Sequence, residues 1–316
     1  MPAFSAYAPG KIILFGEHAV VYGQPAVAAP VSQVKARAVV TANPRGLPGS
    51  VRILAPDVGV DAELALLPAN HPIGMAVRSV LALLKAGAPP ACTVKVTSTV
   101  PIAAGLGSGA AVSVAVLRAF SAYLGRPLKD EQVSELAFEV EKVHHGTPSG
   151  IDNTVITYGK PVYFIKGKPI EKLAVPVAFT IVIGDTGIAS PTAVAVGEVR
   201  QAWKAKKTLY ESYFEAVGSL AASARQMIER GMVETLGPLM NANHGILRKM
   251  GVSSLELDHL VAAATQAGAM GAKLSGGGQG GNMIALVSAS RAERVAQALR
   301  QAGAVQTIIT VVGKPE

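Results

Sequence analysis

Cysteine is almost absent from this chain of 316 residues. Cys92 is the only one, which excludes an internal disulfide and any cysteine-based metal cluster. Aromatic residues make up only 5% of the chain, so the interleaved basic and aromatic groove that tracks a nucleic-acid strand has little to be built from. Charge is sparse too, at 16% against 50% hydrophobic residues. That balance excludes a disordered chain and supplies enough apolar surface for two domains. Long apolar runs are missing. A stretch such as GAAVSVAVL (109–117) ends at Arg118, well short of the roughly 18–20 residues of a membrane span. The first residues carry Lys11 and Glu17 where a signal peptide needs an apolar core. The expectation is a cytoplasmic protein that engages neither membrane nor nucleic acid.

The chain does carry a net charge of +8, which suits an acidic small molecule or a nucleotide. The one basic cluster, KAKK (204–207), reads as a solvated helix face. Strand patterns fill the first hundred residues: KIILFG (11–16), VKARAVVTA (34–42), SVRILAP (50–56) and TVKVTST (93–99). Helical periodicity marks 74–87, 108–125 and 129–146. After strands at 161–167 and 179–187 the chain turns helical over about 192–230, 232–248 and 255–268, and a glycine loop, a short helix and a strand close it. Strands and helices do not alternate steadily, which favours an α+β architecture over a doubly wound sheet.

Three segments carry candidate chemistry. PIAAGLGSGAA (101–111) is a glycine-rich loop opening an apolar helix. Its glycines admit a ligand to the backbone, and first-turn N–H groups with the helix dipole suit phosphate. It is not a Walker loop, since Ala110 and Ala111 stand where Lys and Ser or Thr are needed. It is not a dinucleotide fingerprint either, because the tight turn and the distal acid are missing. In HGTPSGIDN (145–153), Asp152 follows a Pro-Ser-Gly turn that ends the helix bearing Glu141. Two carboxylates so placed can divide the work, one on a metal and one on a hydroxyl, or be a turn cap and a surface acid like Glu135 and Glu139. The third segment, AKLSGGGQGGN (272–282), packs five glycines into six positions around Gln279, an entropic cost that a backbone closing over phosphate explains. Lys11, Glu17 and His18 are polar groups inside the apolar APGKIILFGEHAVVYGQPAVA (8–28).

Together APGKIILFGEHAVVYGQPA, PIAAGLGSGAA and KLSGGGQGGN resemble, in order, the signature blocks of the galactokinase, homoserine kinase, mevalonate kinase and phosphomevalonate kinase (GHMP) superfamily. GEHAVVYG, HGTPSGIDN and MNANHGILRKMGVSS (240–254) are most similar to its mevalonate kinase branch. The resemblance implies a two-domain α+β fold: a ribosomal-protein-S5-like nucleotide-binding and catalytic domain over 1–170, and a ferredoxin-like domain over 171–316 closing the active-site cleft. It implies transfer of the ATP γ-phosphate to the 5-hydroxyl of (R)-mevalonate in isoprenoid biosynthesis, with Mg²⁺. Alternatives are a relative acting on another hydroxyl, such as a mevalonate 3-kinase or homoserine kinase, or a non-catalytic nucleotide sensor.

By residue-wise match, the resemblance makes Asp152 the catalytic carboxylate with Lys11 beside it, and Glu141 a metal ligand. Glu17, His18, Thr186 and Thr192 are placed at the substrate. Pro101, Ala104, Gly105, Leu106, Gly107, Ser108, Gly109, Ala110, Ser275, Gly276 and Gly277 are placed at ATP. Relatives are commonly dimers, so a homodimer is compatible with this reading. Two departures stand out. Gly109 replaces the second serine of the usual Gly-Leu-Gly-Ser-Ser, leaving Ser108 or water for Mg²⁺, and the last loop carries Gln279 and Asn282.

Overall fold

The structure, a computed structural model, describes residues 3–102, 104–145, 148–190 and 192–313. In chain order the elements are β1 (Ala3–Phe15), β2 (Ala26–Ala42), β3 (Val51–Ala55), β4 (Val60–Glu63), α1 (Pro72–Leu83), β5 (Cys92–Ser98), α2 (Ser108–Tyr123), α3 (Asp130–His145), α4 (Ile151–Tyr158), β6 (Val162–Phe164), β7 (Glu171–Lys172) and β8 (Phe179–Asp185). Then follow α5 (Thr192–Ala205), α6 (Lys207–Glu229), α7 (Leu236–Lys249), α8 (Leu255–Gln266), β9 (Gly271–Ser275), β10 (Asn282–Val287), α9 (Ala292–Gln301) and β11 (Gln306–Val312).

The chain groups into two compact units. The first comprises Met1–Gly10, Val34–Pro101 and Gly107–Gly159, and the second Lys11–Gln33, Ile102–Leu106 and Lys160–Glu316. Chain order alone suggests a division at 170. Lys11–Gln33 and Ile102–Leu106 nevertheless group with the C-terminal half, because β1 and β2 are long enough, at 13 and 17 residues, to serve both units.

In the first unit β5 runs antiparallel to Ala36–Ala42 of β2 and parallel to β3, with β4 beyond β3. The alternating burial of VKARAVV in β2 gives this sheet one apolar face. Helices α1, α2 and α3 contribute Val77, Val80, Val114, Leu117, Phe120, Val133 and Val140 to the core. Small residues let α2 pack closely, and ten of its sixteen residues are buried.

The second unit is built on a four-stranded antiparallel sheet in the order β11-β8-β10-β9. Numbered from β8, that order is 4-1-3-2. With helices between β8 and β9 and between β10 and β11, this is the ferredoxin-like arrangement expected for the C-terminal half. Its core joins Val182, Met283 and Ala285 of the sheet to Leu247, Leu257, Leu260, Val295 and Leu299 of the helices. Tyr22 stacks on Phe214 of α6 with ring centroids 4.0 Å apart, so the segment after β1 is anchored here.

Two elements differ from expectation. The single helix expected over 192–230 is broken at Lys206, whose φ of −134° and ψ of 58° are non-helical. The turn expected to carry Asp152 is instead the start of a helix, α4. Among the described residues no helix is long and apolar enough to cross a membrane.

Candidate active site

In the first unit, Gly107 takes a φ of 75° and opens α2, so the backbone turns sharply into the helix. The N–H groups of the first turn, from Ser108, Gly109 and Ala110, point out of the helix end without helical acceptors. Anions are favoured there by the aligned peptide dipoles. Beside this turn sits Glu141 of α3, only 5% exposed. A Cβ on Gly109 would stand 3.1 Å from Glu141 Oε1, so the carboxylate and the helix end adjoin. Glu141 therefore differs from Glu135 and Glu139, which face solvent, the latter paired with Lys142 at 2.6 Å. Hard oxygen donors suit Mg²⁺, which is commonly held by one or two carboxylates together with substrate phosphates. Glu141 provides such a carboxylate. The Ser108 hydroxyl donates to the Val100 carbonyl at 3.3 Å and keeps its oxygen lone pairs. Among the described residues no three His, Cys, Asp or Glu side chains form a cage of their own. The donors present fit an ion that arrives with a nucleotide.

Asp152 is the second residue of α4, after Gly150 with φ 92°. The expectation of a carboxylate on a rigid turn is corrected here. A helix's first turn holds it, where the dipole favours the anion. The neighbouring Asn153 fixes α4 to α3, its Nδ2 donating to Ser134 O at 3.0 Å and Ser134 Oγ at 2.9 Å. Gly146, in the HGTPSGIDN stretch, lies outside the described residues.

In the second unit the turn after β1 is strained. His18 has φ 59° and ψ −49°, and the Ala19 N–H donates to Glu17 O at 2.6 Å. This is a γ-turn with a non-glycine residue at positive φ, a rare conformation that costs ~1–3 kcal/mol and persists only where its surroundings enforce it. His18 is 5% exposed, and its Nε2 lies 2.9 Å from Gly277 O. A carbonyl only accepts, so Nε2 carries the proton and Nδ1 is an acceptor. Nδ1 has no partner among the described residues.

Glu17 and Lys273 are both fully buried and form an ion pair, with the Lys273 ammonium also donating to Leu274 O at 2.7 Å. Asn243 Nδ2 donates to the other carboxylate oxygen, Glu17 Oε2, at 3.1 Å. Ser275, expected near the phosphate, accepts from Ile13 N and donates to Ile13 O, both at 3.0 Å, pinning β9 to β1. Lys11 is 3% exposed, and its N–H donates to Leu106 O at 2.9 Å. The two glycine-rich loops come together within this unit. A Cβ on Gly276 would lie 3.7 Å from Gly105 Cα, and Asn282 donates to Ala104 O. At Gly278, with φ 78°, a side chain would strike the Val252 carbonyl. Gln279 reaches the left-handed region without being glycine, with φ 59°. Its N–H donates to Val252 O at 2.7 Å and its amide donates to Glu198.

The Thr186 hydroxyl is bonded to Gly281 O at 2.9 Å, which leaves this residue supporting the loop. Thr192 stands beside Gly277, its Cα 3.3 Å from a Cβ built there. Pro101 is half-buried, while Ala104 and Leu106 are buried. Sequence reasoning missed Asn241, Asn243, His244 and Lys273. Asn241 Oδ1 accepts from Ala272 N at 2.9 Å and His244 Nδ1 from Leu274 N at 3.4 Å, so α7 covers the free edge of β9. The available signal was a lysine inside an otherwise apolar strand.

Burial lowers the His18 imidazole to about 4, although its hydrogen bond to Gly277 works the other way. Burial likewise lowers His244 to about 4 against the attraction of Asp258. The unfolded chain binds a proton at His18 below its ordinary 6.5, and the folded chain refuses it until about 4. Stability is therefore full above about pH 6.5 and falls as pH drops toward 4, by ~3 kcal/mol from His18 alone. Urea unfolding of the wild type at pH 7 and pH 4.5 reads this loss. A His18→Gln variant is expected to lose visibly less over the same interval.

Comparison with known proteins places the chain in a class. The model of the family described as GHMP kinases N terminal domain matches residues 74–160, and that of GHMP kinases C terminal matches 224–305. The mevalonate kinase of Pyrococcus horikoshii is 38% identical, with 97% of this chain and 95% of the relative covered. That of Thermococcus gammatolerans is 37% identical over the same shares. Among solved structures, L. major mevalonate kinase in complex with R-mevalonate is 30% identical, with a TM-score of 0.84 over 98% of this chain and 95% of that one. The chain belongs to the mevalonate kinase family of the GHMP kinases.

Proposed function

We propose that the protein transfers the γ-phosphoryl group of ATP to the 5-hydroxyl of (R)-mevalonate, giving 5-phosphomevalonate for isoprenoid synthesis. The observation that carries the phosphoryl-transfer part is the buried Glu141 carboxylate beside the first-turn N–H groups of α2, a cation ligand next to an anion site. The mevalonate part rests on full-length likeness to mevalonate kinases. Neither homoserine nor the 3-hydroxyl of mevalonate is favoured by any observation, and the sensor reading has none behind it.

In this reading, residues 101, 104–110 and 275–277 bind ATP. Glu141, with Ser108 or water, would hold Mg²⁺, which would supply neutralisation of phosphate charge. His18 Nδ1 accepts a hydrogen bond from a mevalonate hydroxyl, and Thr192, beside Gly277, also binds the substrate. Asp152 takes the proton of the 5-hydroxyl as its oxygen bonds to the γ-phosphorus, and the bond from that phosphorus to the β,γ-bridging oxygen breaks to release ADP. Lys11 stabilises the charge on the transferring group. Glu17 and Thr186 support these parts from behind. An ATP-binding part over 1–170, a part over 171–316 closing on the substrates, a cytoplasmic location and a homodimer belong to the same proposal. Sedimentation tests the last.

ADP release with mevalonate, phosphomevalonate and homoserine, each with ATP and Mg²⁺, tests the assignment. Mevalonate alone is expected to support turnover at enzyme-like rates. Faster turnover with homoserine would overturn it. The Gly109 departure gives a further expectation. Gly109→Ser places a hydroxyl beside Glu141 and is expected to lower the Mg²⁺ concentration for half-maximal rate by roughly 3- to 10-fold. A titration of free Mg²⁺ at saturating ATP checks it.

A further inference from the structure

We propose that Lys273 is a positioning residue. With Glu17 and Asn243 it forms a buried lock that holds the strained turn at His18 and so aims the imidazole. The proposal rests on His18 being a mevalonate ligand.

Lys273 and Glu17 are each 0% exposed. Both are shut away from solvent and bonded to each other, so the pair acts on the site through the residue beside it. The immediate chain neighbour of Glu17 is His18. Both carboxylate oxygens of Glu17 are engaged, one by the Lys273 ammonium and one by Asn243 Nδ2. The ammonium's second bond, to Leu274 O at 2.7 Å, ties it to its own strand. The Glu17 carbonyl accepts the bond that closes the γ-turn. The residue that forms the turn is thus clamped through its side chain on one side. The imidazole that the turn presents is clamped by Gly277 O on the other.

A buried ion pair is a poor source of stability, because apolar residues of the same volume do as well or better. A strained backbone, by contrast, survives only where several contacts over-determine it. The pair is therefore accounted for by the geometry it enforces. α7 completes the clamp: Asn241 and His244 bond the Ala272 and Leu274 N–H groups on either side of Lys273, which fixes the strand from which the lysine reaches.

The test uses ¹⁵N-histidine NMR and steady-state kinetics on the wild type, Lys273→Met, Asn243→Ala, His18→Ala and the double variant Lys273→Met/His18→Ala. Circular dichroism checks that each folds. The signal missing from His18→Ala identifies His18, and in the wild type it is expected to show one neutral tautomer with Nε2 protonated. In Lys273→Met, and in the milder Asn243→Ala should the former not fold, that signal is expected to shift to averaged tautomers. This readout needs no substrate, so it stands whether or not mevalonate is phosphorylated. With mevalonate as substrate, Lys273→Met is expected to raise its KM at least about tenfold while the ATP KM stays within about twofold. Lys273→Met/His18→Ala is expected to be no worse than His18→Ala. An unchanged His18 signal in a folded variant would overturn the lock. So would multiplicative losses in the double variant, which would mean that Lys273 acts independently of His18.

Discussion

Replacing Asp152 by asparagine is expected to lower kcat by a factor of about 10²–10⁴, the range that general acid–base groups supply, with ATP affinity close to wild type. The substitution keeps the size of the side chain at the start of α4 and removes its negative charge, and with it the ability to take a proton. Asn153, whose amide holds α4 to α3, is untouched, so the helix stays in place. Loss of activity without loss of the thermal transition therefore isolates chemistry from folding. Rates from rapid quench, together with ATP binding by calorimetry, make the measurement. A kcat within about threefold of wild type would remove Asp152 from the proton-transfer role.

The second large effect is on stability. Lys273→Met strips the counter-ion from a carboxylate that is wholly buried and is expected to cost ~3–5 kcal/mol of unfolding free energy. The double variant Glu17→Gln/Lys273→Met removes both charges and keeps the Asn243 contact possible. It is expected to recover most of that loss, because a neutral pair has no comparable desolvation penalty. Urea midpoints for the single and double variants at pH 7 decide the matter. Equal destabilisation of both would mean that packing volume, not charge, is what the site requires.

Much of this molecule is legible in its sequence, and the reasons are physical. Glycine runs are costly and therefore informative, and residues 104–110 and 275–281 do carry the left-handed and close-approach backbone expected of them. Helices α1, α2 and α3 are marked by apolar spacing, and the second-unit sheet by its bracketed apolar strands. What escapes is set by tertiary context. Periodicity cannot distinguish a turn from a helix as short as α4, whose apolar residues Ile151, Val155 and Ile156 find their packing only in the folded unit. Nor does periodicity mark the break at Lys206 between α5 and α6. The strain at His18 is invisible because histidine does not advertise positive φ as glycine does. Glu17 reads as a substrate residue from its motif, yet its partners lie more than 200 positions away in the chain. Ser275 shows the same limit: its hydroxyl is committed to the backbone of Ile13, which only the fold brings within reach.

The most direct test of the whole account is the identity of the product. Purified protein is incubated with ATP, Mg²⁺ and (R)-mevalonate, and the phosphorylated product is assigned by ³¹P and ¹H NMR. The expected result is 5-phosphomevalonate formed in step with ADP. Phosphate on the 3-hydroxyl, or ATP bound without any transfer, would contradict the account at its centre.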